Sequence, residues 1–575
     1  MFAILLQRIN FKNLLMLFLS ALLLAGCTAN GIFGNNSSNL LKNDANYNSE
    51  FYLNQIQRQQ NVEDKITYQL LAARVLVSEN KIPQAEALLT ELGAISDKIQ
   101  LMDKNLVEAE IAAAKKENSK ATNLLRTLDL SQLSPSQKSR YYQTEARIAE
   151  NQYDILAAIQ ARIKMDTELS DTQRKQENND RIWALLRNAN RGMINNTNPQ
   201  GNAGLAGWLD LARAYNDNLS NPSYLATALQ NWRASYPNHS AAYLLPTELQ
   251  GIFNFQQTHL GNIGLFLPLS GNAQLIGSTV KAGFDDAKGN SPENVRIFDT
   301  MTNTMPEIIA QAQQAGITTL IGPLIKSNVD NLLNSNNLQG FNILALNSTP
   351  NSRALSQVCY YGLAPEDEAQ SAANKMWNDG IREPLVIVPQ NDLGQRTASA
   401  FNLRWQQLAA TDANTRFYNN PDDILPLLEQ SGENVQALYI VALSDSLPMI
   451  KNAVDNSNRQ VKLYASSRSH SGNNGPEYRM IMDGLTFSDI PFFRDTQSEQ
   501  YKKVDNLTHG DYSLMRLYAM GSDAWLLINQ FNELRQIPGY SINGLTGVLS
   551  AGPNCNIERG MTWFQYVNGD IRILN

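Results

Sequence analysis

The sequence predicts a multidomain protein in which an all-α, superhelical repeat domain is followed by an α/β domain of two lobes. Three observations predict it. Over residues 51–256 apolar side chains recur at helical spacing, and the pattern repeats after 36 residues. Beyond about residue 261, short apolar runs alternate with helix-like segments in two successive sets, the layout of buried parallel strands between helices. Ahead of both lies a leader ending in Leu24-Ala25-Gly26-Cys27.

In the leader, Arg8 and Lys12 precede an apolar run from Leu14 to Leu24 that is too short and too small-ended to span a membrane. Residues 1–26 therefore read as a cleaved lipoprotein signal peptide, with Cys27 as the lipidated first mature residue, carrying diacylglyceryl and fatty acyl chains such as palmitate. A plain signal peptide with a fortuitous cysteine is the competing reading. Each buried methylene contributes about 0.8 kcal/mol, and a single chain anchors reversibly, so three chains make a durable tether. Thr28 stands where lipoproteins held at the inner membrane typically carry Asp, so the anchor is expected in the outer membrane, facing the periplasm. Residues 27–50, rich in Asn, Ser and Gly and without sustained periodicity, are expected to form a flexible linker.

The 575 residues with 43% hydrophobic content suffice for three or four folding units. A net charge of −7 leaves no basic surplus to neutralise phosphates, so nucleic acid is not an expected partner. Once Cys27 is lipidated, Cys359 and Cys555 remain, and an isolated pair in an oxidising compartment reads as a disulfide. Two free thiols or a metal site are the alternatives, although no His or Cys stands near either one at ligand spacing.

In the helical half, Ala85-x-x-Leu88-Leu89-x-x-Leu92 recurs as Ala121-x-x-Leu124-Leu125-x-x-Leu128, and Ala73 recurs as Ala109 at the same shift. A third copy over residues 142–163 is weaker. Trp208-x-x-Leu211-Ala212-x-x-Tyr215 resembles the first-helix signature of tetratricopeptide repeats. A generic helical bundle with accidental self-similarity is the alternative. Small residues let paired helices approach, and neither helix of a pair buries its face alone.

The α/β half is expected over residues 257–575, with one lobe at about 257–360 plus 485–540 and the other at 361–484 plus 541–575. Its first set of strands is Ile263–Leu269, Val295–Asp299, Thr319–Gly322 and Asn342–Leu346; its second starts at Leu385–Val388 and continues with Ala437–Val441 and Val461–Ala465. Open α/β sheets hold ligands beyond the carboxyl ends of their strands, where helix amino termini present free N–H groups. That rule makes Ser270, Ser327, Asn347, Ser348 and Thr349 the candidate cleft residues, although Ser, Thr and Asn also cap helices and close turns for purely structural reasons.

No catalytic residue, metal site or cofactor is expected. Ser78-x-x-Lys81 and Ser278-x-x-Lys281 match the first element of a penicillin-binding active site, but no Lys-Thr-Gly accompanies them. None of the four histidines stands in an H-E-x-x-H arrangement, and His470, between Ser469 and Ser471, reads as a solvated loop residue. No phosphate-binding G-x-x-x-x-G-K-[ST] loop occurs.

Residues 261–575 resemble type I periplasmic binding proteins of the branched-chain amino acid receptor kind. The resemblance rests on Leu267-Pro268-Leu269-Ser270-Gly271, Ile321-Gly322-Pro323-Leu324, Leu346-Asn347-Ser348-Thr349-Pro350, Tyr361-Gly362-Leu363-Ala364-Pro365 and Leu393-Gly394-Gln395-Arg396. For the second-lobe groups that hold the amino end of a ligand in that family, Asp392 and Asp445 are merely positional counterparts. Joined to the helical half and the leader, this order of parts is similar to the outer-membrane lipoprotein activators of bifunctional class A penicillin-binding proteins. The resemblance implies a non-enzymatic regulator of peptidoglycan synthesis and cell wall biogenesis, hence of cell shape, with the synthase, the outer membrane and peptidoglycan as partners. The alternative is a lipid-anchored receptor for an amino-acid-like or wall-derived solute.

Overall fold

The computed structural model describes residues 37–409, 411–457 and 459–574; the leader and Cys27 lie outside them. The chain divides into two compact units, residues 1–214 with 229–247, and residues 215–228 with 248–575. The break expected between 256 and 257 is thus displaced. Residues 248–256 and the helical stretch 215–228 cluster with the α/β half, where the Tyr215 hydroxyl donates to the carbonyl of Pro538.

In the first unit, α1 (Ser49–Arg58) is followed by three helix pairs: α2 (Val62–Ser78) with α3 (Ile82–Thr90), α4 (Lys98–Ala114) with α5 (Asn118–Arg126), and α6 (Pro135–Asn151) with α7 (Ile155–Glu168). The first helix of every pair is 17 residues long. Each runs into a turn with a left-handed residue, Asn80 (φ 59°), Lys116 (φ 63°) and Tyr153 (φ 59°). The same reverse bond closes each turn, from the N–H of Lys81, Glu117 and Asp154 to the carbonyls of Leu76, Ala112 and Ala149 at 2.8, 2.8 and 2.9 Å. Such a loop satisfies carbonyls that the helix end leaves open. Ala73, Ala109 and Ala146 on the first helices, and Ala85, Ala121 and Ala158 on the second, are wholly buried. Having nothing beyond Cβ, they let the helices of a pair close on one another. The helices continue through α8 (Thr172–Arg187), α9 (Arg191–Asn196), α10 (Ala203–Asn218), α11 (Pro222–Ser235), α12 (Ser240–Tyr243) and α13 (Thr247–Gln250), of which the end of α10, the start of α11 and residues 248–250 of α13 belong to the second unit.

Residues 37–48, expected within the flexible linker, are instead folded onto the repeat array. Ser37–Lys42 is a 3₁₀ helix, and Leu41 is fully buried. The guanidinium of Arg74 donates to the carbonyls of Leu41 (3.2 Å) and Asn43 (2.7 Å), and Ser134 donates to the carbonyl of Lys42 (2.6 Å). Asp44 accepts from Ser136 (2.6 Å) and pairs with Arg174 (2.7 Å). A buried guanidinium needs acceptors, and here main-chain carbonyls supply them. A polar composition gave little hint of this, because much of the attachment runs through backbone carbonyls that every residue carries.

In the second unit, β1 (Asn262–Leu267), β2 (Val295–Asp299), β3 (Ile317–Ile321), β4 (Asn342–Ala345) and β5 (Val358–Tyr360) form a parallel sheet in the order β2-β1-β3-β4-β5. Helices α14 (Gln274–Lys288), α15 (Met305–Gln314) and α16 (Lys326–Leu333) connect the first four strands. The second lobe follows with α17 (Pro365–Asn378), β6 (Pro384–Pro389), α18 (Asp392–Ala409), β7 (Asn414–Tyr418), α19 (Ile424–Glu429) and β8 (Ala437–Ile440). Beyond these lie α20 (Leu447–Asp455), β9 (Lys462–Ala465), α21 (Pro476–Ile481) and β10 (Thr486–Asp489). The chain then runs through α22 (Glu499–Thr508), α23 (Tyr512–Asn529) and α24 (Phe531–Gln536) to the small antiparallel sheet β11 (Ser541–Asn543), β12 (Val548–Ala551), β13 (Ile557–Gly560). Finally β14 (Thr562–Val567) and β15 (Asp570–Leu574) complete a seven-stranded sheet in the order β15-β14-β10-β9-β8-β6-β7. One part of the expected partition is corrected here. β10 lies inside the stretch 485–540 assigned to the first lobe, yet it pairs with β9 and β14 of the second, its four residues all buried.

Helix α23 crosses α14 at a contact that two glycines permit. A Cβ on Gly283 would stand 1.9 Å from the Tyr518 carbonyl oxygen, and one on Gly521 would stand 1.9 Å from that of Val280. Backbone cannot yield to such an approach, so glycine is dictated at both positions. The fold class read from the sequence, a helical repeat domain followed by a two-lobed periplasmic-binding-protein-like domain, is the one observed.

Candidate functional site

The two lobes are fastened by a disulfide and by buried polar contacts. Cys359, in the last strand of the first lobe, is disulfide-bonded to Cys555 beside the small sheet, with their Cα atoms 4.7 Å apart. Just after it, the Tyr361 hydroxyl meets Thr546 Oγ1 (2.8 Å). The carboxylate of Asp523 on α23 accepts from the N–H groups of Leu545 and Thr546 (both 2.7 Å) and from the Thr546 hydroxyl (2.6 Å). Burial pushes the Asp523 carboxyl up to about 6, against those donors. Asp367 on α17 accepts from the Arg559 guanidinium (3.0 Å), which also donates to the Ala364 carbonyl (3.1 Å). Both side chains are buried, and loss of solvent raises the Asp367 carboxyl to about 7 despite its partner.

At the carboxyl ends of β8 and β9 opens a cavity of about 640 Å³ whose wall includes Glu368, Tyr439, Ser466, Ser467, His470 and Arg516. Its charges are answered from within. Glu368 accepts from the N–H of Ser467 (2.9 Å) and from its hydroxyl (2.7 Å). Arg516 donates two bonds to Asp489, at 2.9 and 2.6 Å, and two more to the carbonyls of Ser467 and His470. His470 Nδ1 lies 2.8 Å from the same carboxylate. The expected solvated loop histidine is therefore a buried one, ringed by Phe487, Phe493, Tyr512 and Phe564. Burial holds its imidazole below the ordinary value. Burial also opposes ionisation of Asp489, but Arg516 and His470 outweigh it and hold the carboxyl below its usual range. In contrast, the hydroxyls of Tyr439 and Ser466 are buried at the cavity wall without a hydrogen-bond partner among the described residues.

The five residues expected in the cleft do stand at strand ends or helix starts, with mostly structural duties. Ser270 hydrogen-bonds Asp299, whose carboxylate also accepts from the N–H groups of Leu269 and Met301 (both 3.0 Å). Ser327 is exposed in the first turn of α16. Asn347 donates to the Leu324 carbonyl (3.0 Å) and accepts from the N–H of Ser348 (3.0 Å). Thr349 donates to Asp330 (2.6 Å). Asn347 and Ser348 line a smaller cavity of about 230 Å³, together with Arg396 and Leu517. There Arg396 is already held bidentately by Glu366, at 2.7 and 2.9 Å. Of the two positional counterparts, Asp392 is exposed, 3.7 Å from Arg396, and Asp445 accepts from Ser444 at 3.4 Å.

Sequence reasoning missed Glu368, Ser467, Asp489 and Arg516. A signal existed for the last, as a lone arginine in the apolar stretch Met515 to Met520. The chance Ser-x-x-Lys matches have local uses. Ser78 donates to the Val75 carbonyl (2.7 Å) and Lys81 pairs with Glu79 (2.6 Å), while Lys281 pairs with Asp285 (2.5 Å). Among the described residues no cluster of His, Cys, Asp and Glu could hold a metal ion, and no helix is long and apolar enough to cross a membrane.

Comparison with known proteins places this architecture. The sequence profile of the family described as "LppC putative lipoprotein" matches residues 42–569. Over the whole of both chains the sequence is 62% identical to the penicillin-binding protein activator LpoA of Pasteurella multocida. It is 56% identical to that of Haemophilus influenzae over 99% of both. A crystal form of Haemophilus influenzae LpoA matches with a TM-score of 0.81 at 56% identity, covering 94% of this chain and 99% of that one. The C-domain of the same protein, described as a regulator of PBP1A, covers 55% of this chain at 57% identity, with a TM-score of 0.54. The chain belongs to the LppC lipoproteins, the family of the penicillin-binding protein activators LpoA.

Proposed function

We propose that this protein is a non-enzymatic regulator of peptidoglycan synthesis, anchored in the outer membrane through lipid on Cys27, that binds and stimulates a bifunctional class A penicillin-binding protein from the periplasmic side. The observation that carries it is the 62% identity over both full chains to a relative named as such an activator. The internal pairing of Glu368, Arg396, Asp489 and Arg516 supports it, because charges that would grip an amino-acid-like solute are already engaged. Mass spectrometry of the membrane-extracted chain is expected to find acyl groups on Cys27. In a reconstituted assay the intact chain is expected to raise glycan polymerisation or cross-linking by a class A synthase several-fold. Removal of residues 257–575 is expected to abolish capture of the synthase. A chain that neither binds nor stimulates the synthase, or that turns over a wall fragment unaided, would overturn the proposal.

One observation favours a second reading, a receptor for a small polar solute. Tyr439 and Ser466 line a cavity of about 640 Å³, and their buried hydroxyls have no protein partner among the described residues. Calorimetry against amino acids and muropeptides separates the two readings. Micromolar heats lost in Tyr439→Phe would favour the receptor.

A further inference from the structure

On the first lobe, α15, α16 and the segment that follows α16 border an open groove of about 590 Å³. Its wall carries no charged side chain. Asn328, Asn331 and Asn334 recur every three residues along α16 and its end, which sets them on one face, and Asn336 and Asn337 continue the line. The opposite face of the same stretch is pinned by Val329, Leu332, Leu333 and Leu338, all buried in the core of the lobe. The asparagine face is therefore turned outward by packing. None of these five carboxamides makes a side-chain hydrogen bond among the described residues, whereas the structural asparagines of this protein do. Asn347 holds the Leu324 carbonyl, and Asn179 and Asn151 hold those of Leu244 and Ala113.

A carboxamide both donates and accepts, and carries no charge. A row of them matches a ligand with closely spaced hydroxyl and amide groups, and gives an ion no counter-charge. A peptide with large apolar side chains would find little to bury against, since Met305 and Ile309 are buried and the exposed apolar surface is that of Pro306 and Ala310. We propose that this groove binds a neutral glycan chain whose sugars bear hydroxyl and N-acetyl groups. Each neutral hydrogen bond is won in competition with water, so one stretch of chain binds weakly. A polymer that presents many equivalent stretches compensates for that. The inference stands apart from the synthase reading, since neither the groove nor its test involves the synthase.

The test uses the intact chain and a tetramer of N-acetylglucosamine, followed by saturation-transfer NMR and titration, with tetra-glutamate as the charged control. The tetramer is expected to bind with a Kd on the order of 1 mM. Asn331→Ala combined with Asn334→Ala changes two exposed positions, and is expected to weaken binding at least about fivefold with the melting temperature unchanged. Ala310→Arg, which fills the groove from α15, is expected to do the same and serves if the double variant is unstable. No transfer to the intact chain, equal binding by both variants, or tetra-glutamate binding as tightly as the sugar would each overturn the proposal.

Discussion

The two lobes of the second unit share a plan and differ in how they finish their strands. In the first lobe the residues at the strand ends are mostly short neutral side chains spent on turns, such as Asn347 on the Leu324 carbonyl and Thr349 on Asp330. In the second lobe the corresponding rim is charged and its charges are answered, with Glu368 on Ser467, His470 on Asp489, and Arg516 reaching the same carboxylate from α23. A solvent-facing turn tolerates loss of one hydrogen bond. A buried ionic cluster does not, because each member removed leaves another charge desolvated. The difference teaches that the second lobe is held at its rim by electrostatics and the first by backbone geometry.

The largest expected effect that would break this contrast is on Asp489. Asp489→Ala strands Arg516 and His470 in the interior and is expected to cost about 3–5 kcal/mol in denaturant unfolding. A loss below about 1 kcal/mol would show the cluster to be dispensable. Next comes pH. The folded His470 refuses a proton that the unfolded chain accepts, so stability is expected to fall as pH drops below about 6.5. The depressed Asp489 carboxyl adds the same sign near and below about 4. Asp523 and Asp367 act oppositely. Raised to about 6 and about 7, they contribute stability at low pH that is lost as pH climbs from about 4 through those values. His470→Gln is therefore expected to remove one destabilising contribution at low pH, so that between pH 6.5 and 5 the unfolding midpoint of the variant rises relative to that of the unaltered chain, and an unchanged difference would contradict a buried neutral imidazole. On the first lobe, Asn347→Ala is expected to cost about 0.5–1.5 kcal/mol, read by the same unfolding curves. Smallest is Arg396→Gln, at about 0–1 kcal/mol, since roughly a third of both Arg396 and its partner Glu366 is open to water.

Much of the fold was legible because its strands are continuous apolar runs between helices. Val295–Asp299 is a strand as expected, and Leu385–Val388 falls within β6. β7 escaped because Asn-Thr-Arg-Phe-Tyr has no apolar run and is mostly half-buried. The closing strands β11 to β15 escaped because antiparallel strands mix polar and apolar residues, and β15, at the sheet edge, is largely exposed. The third repeat faded because the Leu124-Leu125 pair is replaced by Ala161-Arg162, although Ala158 keeps the contact with its partner helix tight. At the candidate site, the strand-end rule found turn formers, of which Asn347 and Ser348 reach a cavity. It could not find Asp489 or Glu368, whose meaning comes from partners 27 and 99 residues away.

The folding of residues 37–48 onto the repeat array carries a mechanical consequence. With lipid on Cys27, as proposed, about ten residues lie between the anchor and Ser37, and ten residues of any conformation span at most about 35 Å. The first helices are then held within that distance of the membrane, and any longer reach toward a target must come from the residues that follow. Splicing extra residues ahead of Ser37 would raise that ceiling while leaving the contacts of residues 37–48 in place.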